Sequence, residues 1–67
     1  MNVAKLLDTL QTRFQIKNDA ALARELDVTP PEISKLRRGK LPLGDRMILR
    51  IHEYLGVPVK EIRQLAA

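Results

Sequence analysis

Sixty-seven residues make one domain, close to the lower size limit for folding unaided. Without cysteine, and with His52 as the single histidine, the chain offers neither a disulfide framework nor a set of metal ligands. The 45% hydrophobic content is too high for a disordered tail, and the only aromatics, Phe14 and Tyr54, are too few for the stacking platforms that bind single strands.

Val3, Leu6, Leu7, Leu10 and Phe14 recur at steps of three and four, which predicts a helix over residues 2–14 with Asn2 as its N-cap. Residues 15–17 break the pattern, with Ile16 expected to pack beneath the connection. Asn18 is the next N-cap. Ala20, Ala21, Leu22, Ala23 and Leu26 favour a second helix over 19–26, and Asp19 suits its positive end. Asp27-Val28-Thr29 reads as a turn, with Val28 plugging the core beneath it.

Three features start the third helix, expected over 30–38. Thr29 and Glu32 have capping-box spacing, Pro30 stands at the first helical position, and Pro31 follows where the amide has no intrahelical partner. Gly39 stands where a helix commonly ends. After the loop 41–44, Met47, Ile48, Ile51 and Leu55 mark one face of a fourth helix, 45–55, which Gly56 ends. Val59, Ile62 and Leu65 mark a fifth over 58–65. No strand pattern or internal repeat is present. The expected architecture is all-α: a single domain, residues 1–67, of five helices.

The formal charge is +4, unevenly distributed. Residues 35–50 hold six basic side chains (Lys35, Arg37, Arg38, Lys40, Arg46, Arg50) and one acid, Asp45, whereas the rest of the chain holds six basic and seven acidic residues. Such a cluster suits a phosphate-facing surface, and it also suits an ordinary solvated face. On the third helix Ile33 and Leu36 must face the core, which puts Pro31, Ser34, Lys35 and Arg38 together on the opposite side. A short helix presenting a hydroxyl, an ammonium and a guanidinium fits the major groove of B-DNA, with Thr29 near a phosphate or base edge. Ala23 is small enough to let two helices cross closely, although it is equally an ordinary helix former.

The ordered set Leu22, Ala23, Leu26, Val28, Ile33, Ser34, Leu36 and Gly39, spaced L-A-x-x-L-x-V-x-x-x-x-I-S-x-L-x-x-G, resembles the lambda-repressor and Cro-type helix-turn-helix family. The segment HEYLGVPVKEI, residues 52–62, looks like the closing part of that family's five-helix domain. The resemblance implies that the second helix lies across the DNA backbone and the third enters the major groove. It places Thr29, Pro30, Pro31, Ser34, Lys35 and Arg38 at the bases. Lys17, Asn18, Asp19, Arg37 and Lys40 fall near the phosphates. Arg38 also matches a position near the backbone.

Several positions depart from the family pattern. Asp27 stands where glycine is frequent, so a left-handed backbone is expected there. Asp19, Pro30 and Pro31 stand where glutamine is frequent. The prolines cannot hydrogen-bond to base edges but can touch a thymine methyl, which leaves direct reading to Ser34, Lys35 and Arg38. Glu32 is expected to cap the helix rather than to accept from cytosine N4. His52 is expected to be a packed helix residue.

Family members usually bind as symmetric dimers to half-sites roughly 34 Å apart. Leu49, Tyr54, Val59 and Leu65 are the candidate dimer contacts; the alternatives are that they fill the monomer's core or are ordinary exposed apolar side chains. The expected function is a sequence-specific, double-stranded-DNA-binding transcriptional regulator, a small phage-type or mobile-element repressor. The alternative is a protein-interaction module, such as an antitoxin or adaptor, with a protein partner. An enzyme is not expected: Ser34 is the sole serine, His52 lies on another helix, and no glycine-rich phosphate loop occurs. No cofactor is expected. No apolar run has membrane-spanning length and no export signal is evident, so no membrane association and a cytoplasmic location are expected.

Overall fold

Leu6, Leu7 and Leu10 are buried along one side of α1 (Val3–Arg13). The computed structural model describes residues 2–67 and contains α1, α2 (Asp19–Leu26), α3 (Pro30–Arg37), α4 (Asp45–Leu55) and α5 (Val59–Leu65), with no strand among the described residues. α2 packs on α3 and α4, α1 packs on α3 and α5, and α5 closes against α4. One core results, filled by Leu22, Leu26, Ile33, Ile51 and Ile62 together with the α1 leucines, all at 0% exposure. Full burial of each such side chain contributes about 1.5–3 kcal/mol before conformational entropy is subtracted. Ala23 is also fully buried, on the helix that packs most closely with α3. Ile16 and Val28 pack against the core from the two connections, as expected. The chain ends meet: the Asn2 amide donates to the Ala66 carbonyl at 2.6 Å.

The helix starts follow the expected chemistry in two cases and differ in the third. Asn2 Oδ1 accepts from the Lys5 amide at 3.0 Å, and Asn18 Oδ1 accepts from the Ala21 amide at 2.8 Å. The expected capping box at Thr29 and Glu32 does not form, because Thr29 makes no side-chain cap bond. Of the two donors such a box serves, the Glu32 amide donates to the Thr29 carbonyl at 3.1 Å, and the Glu32 carboxylate that would serve the Thr29 amide is drawn to Arg46 at 2.7 Å. Pro30 and Pro31 remove the first two open amides, and α3 starts on their fixed φ instead.

Three of the helix ends share one device. After α1, α2 and α3 the chain takes a left-handed residue, Gln15 (φ 56°), Asp27 (φ 56°) or Gly39 (φ 74°). In each case the next amide reaches back five residues: Ile16 to the Gln11 carbonyl, Val28 to Ala23 and Lys40 to Lys35, at 2.8–2.9 Å. This is the Schellman arrangement, which satisfies carbonyls that the helix leaves open. Asp27 adopts the left-handed conformation expected from its place in the sequence. The one at Gln15 carries no glycine or asparagine signal.

A side chain in this region is strained, by at most about 1–2 kcal/mol and less for Asp. The Asp27 carboxylate does little to offset that: it lies 3.5 Å from Arg50 and is 76% exposed. Asp27→Gly is therefore expected to stabilise the domain by up to about 1 kcal/mol, read as a rise of a few degrees in melting temperature. An unchanged or lower melting temperature would refute the assignment of strain to this turn.

Candidate nucleic-acid interface

The helix pair that the sequence singles out is α2–α3, and α3 has only eight residues. Ile33 and Leu36 anchor it to the core at 0% and 2% exposure. Its two flanks are fixed by ion pairs. On the flank toward α1 and α2, the Arg37 guanidinium donates from Nε and Nη2 to both Asp19 carboxylate oxygens, at 3.0 and 2.9 Å, and from Nη1 to Asp8 at 2.6 Å. Gln11 joins this network by donating to Asp19 at 2.6 Å. On the flank toward α4, Arg46 donates to the Glu32 carboxylate at 2.7 Å. What remains outward is the set Pro30, Pro31, Lys35 and Arg38, all exposed, with Ser34 half-buried beside them.

The six clustered basic side chains thus separate into two groups. Arg37 and Arg46 are held by carboxylates. Arg50 donates to the Leu26 and Asp27 carbonyls at 3.2 and 3.0 Å and so caps the end of α2. Lys35, Arg38 and Lys40 are exposed and have no carboxylate partner among the described residues; Arg38 makes only a long bond to the Ser34 carbonyl, at 3.4 Å. Lys17 is likewise exposed and unpaired, just before α2. Asn18, used by one oxygen as N-cap, keeps its amide donors.

Arg37 and Asp19, both expected at the phosphates, are engaged with each other in a partly exposed ion pair. The charge count along the chain could not reveal this, since Arg37 lies 29 residues from Asp8. Glu32 is neither a cap nor free; its pairing with Arg46 was not foreseen, nor were the roles of Asp8 and Gln11.

The four candidate dimer contacts differ in exposure. Leu49 and Tyr54 are exposed, at 49% and 52%, while Val59 and Leu65 are partly buried and pack against the monomer's core. Five residues apart on α4, Leu49 and Tyr54 point about 140° away from each other. Tyr54 instead lines a groove with Phe14, Ile16 and Leu55. His52 is exposed, and its Nδ1 lies 2.8 Å from the Val57 carbonyl, bracing the turn after α4. No cluster of residues suited to a metal ion and no helix long and apolar enough to cross a membrane occurs among the described residues.

Hydrogen bonds from Arg37 hold the Asp19 carboxyl below the usual carboxylate range, against a smaller opposing effect of burial. The folded state therefore binds this proton less tightly than the unfolded chain. The resulting stability is present above about pH 4 and is lost as pH falls through the folded-state value. Both partners are partly exposed, which limits the contribution to the order of 1 kcal/mol. Asp19→Asn is expected to lower the melting temperature at pH 7, with the gap to wild type narrowing below about pH 4; a gap independent of pH would contradict this account.

A helix-turn-helix family model matches residues 15–62, from the end of the first turn into α5. Comparisons with curated proteins and with solved structures returned no match. The matched span contains the whole α2–turn–α3 unit with its left-handed Asp27, and the chain belongs to the lambda-repressor/Cro-like helix-turn-helix family of DNA-binding regulators.

Proposed function

We propose that the protein is a sequence-specific transcriptional repressor, of phage or mobile-element type, that binds double-stranded operator DNA as a homodimer. The observation that carries this reading is the separation of cations. Those that hold α3 in place are paired internally, whereas Lys35, Arg38 and Lys40, at the outer face and end of α3, are not. Lys17 and Asn18 add donors at the start of α2. α3 would lie in the major groove with Pro30 and Pro31 against apolar base features, Ser34 and Lys35 at base edges, and Arg38 at a base or phosphate. Thr29, whose hydroxyl no cap bond engages, would stand at the groove's mouth. Occupancy of promoter DNA is the simplest route to repression for such a domain. For the homodimer, the exposed pair Phe14 and Tyr54 in one groove supports contact with a second copy. The same groove supports the other reading, an antitoxin- or adaptor-like module, for which a tight protein complex alongside weak DNA binding would be the sign.

Two measurements test the proposal. Log affinity for a selected operator should fall linearly with log salt, and Lys35→Ala and Lys40→Ala should each reduce the slope by about 0.9. Arg37→Ala should leave the slope unchanged while lowering stability, since its charge is engaged within the domain. A flat salt response, or equal affinity for all sequences, would overturn specific groove reading. Separately, Tyr54→Ser is expected to weaken binding to a palindrome while leaving single half-site binding intact; equal loss on both would remove Tyr54 from the dimer contact.

A further inference from the structure

The outward face of α3 has an unusual chemical bias. Its charged donors are Lys35 and Arg38, its apolar groups are Pro30 and Pro31, and its hydroxyls are Ser34 and Thr29. It has no asparagine or glutamine, so it lacks the carboxamide that reads adenine through paired hydrogen bonds. Glu32 is the one carboxylate of α3, and a carboxylate is the group suited to accept from the cytosine amino group. Its carboxylate is drawn to the α4 side by Arg46, at 2.7 Å, and its side chain is only 23% exposed. Arg46 is 61% exposed, so it contributes to this arrangement mainly through its charge.

We propose that Arg46, which lies outside the recognition helix, is a specificity-determining residue: by holding Glu32 against α4 it keeps a carboxylate out of the groove. This inference rests on the reading of α3 as the groove-reading helix. With Glu32 withdrawn, reading falls on acceptor edges, namely guanine N7 and O6, adenine N7 and thymine O4, and on thymine methyls; only the hydroxyls can serve an amino group. Removing the Arg46 charge frees Glu32 in the first turn of α3, next to Pro31 and within one helical turn of Lys35. From there its carboxylate can turn outward and accept from cytosine N4. Arg46 is thus a positioning residue whose effect is seen in the base sequence bound.

The test is selection of bound sequences from a random double-stranded pool by four full-length chains: wild type, Glu32→Ala, Arg46→Met and the double variant. Wild type and Glu32→Ala are expected to select the same motif. Arg46→Met is expected to select a motif changed at one position per half-site, where cytosine is gained by roughly five- to ten-fold. The double variant should return that position to the wild-type preference. A purely structural role for Arg46 would lower affinity for all sequences alike and leave the motif unchanged, and this would overturn the inference. So would a motif altered by Glu32→Ala alone, because Glu32 would then already be reading a base. Should Arg46→Met fail to fold, Arg46→Gln replaces it, and the Glu32→Ala comparison stands independently. Failure of wild type to enrich any motif would refute sequence-specific reading itself, an outcome distinct from an enriched motif that Arg46→Met does not change.

Discussion

An eight-residue helix has little stability of its own in water, because nucleation is unfavourable and few hydrogen bonds repay it. Everything asked of α3 depends on its being held from outside without covering its outer face. Ile33 and Leu36 hold it from beneath. Arg37 ties one flank to α1 and α2, and Glu32 ties the other to α4. Three of its four sides are engaged, and the fourth carries Pro31, Lys35 and Arg38. The helix is rigid because of its neighbours, and its free surface is whatever those neighbours leave.

That constraint explains why the basic cluster is less of a single surface than its sequence suggests. Six cations lie within residues 35–50, but a cation serving as an internal tie has its donors directed at carboxylates or carbonyls. Arg37, Arg46 and Arg50 are all arginines, whose planar fork can serve two acceptors at once. Arg37 does so with Asp8 and Asp19, and Arg50 with two carbonyls. Lys17, Lys35 and Lys40, without a carboxylate partner among the described residues, are lysines, compact charges on flexible stems that suit contacts with a phosphate chain; Arg24 and Arg38 are arginines in the same state. The choice of arginine for the three ties follows from geometry, because internal ties need directed pairs.

Local features were legible in the sequence because their causes are local. Five helices follow from apolar spacing, the starts of α1 and α2 from asparagine side chains three residues before the amides they cap, and the left-handed turn from Asp27 in its place after Leu26. The core side of α4 follows from Met47, Ile48 and Ile51. The features that were not legible have distant causes. Arg37 and Asp8 are 29 positions apart, and Glu32 and Arg46 are 14 apart, so no spacing rule brings them together. The capping box shows a different limit. Its residues are correctly placed, yet the Glu32 amide bonds to the Thr29 carbonyl and the Glu32 carboxylate to Arg46, 14 positions away, so a valid local motif is not realised. Gln15 is left-handed without any residue that favours it; the Ile16 amide bond to Gln11 and the packing of Ile16 on the core outweigh its preference.

α4 supplies the remaining control over the angle between α2 and α3. Arg46 and Arg50 are four residues apart and therefore lie on the same flank of α4, one turn from each other. Arg46 reaches the first turn of α3, and Arg50 reaches the last carbonyls of α2. The two contacts fall on opposite sides of the same three-residue turn, residues 27–29. A bend held from both sides cannot open without breaking one of them, and Met47, Ile48 and Ile51 fix α4 itself to the core. The turn needs this support because its backbone conformation at Asp27 is not intrinsically favoured. The strain at the bend, the two arginines and the outward face of α3 are thus parts of one arrangement. α4 sets the geometry of that outward face from behind it.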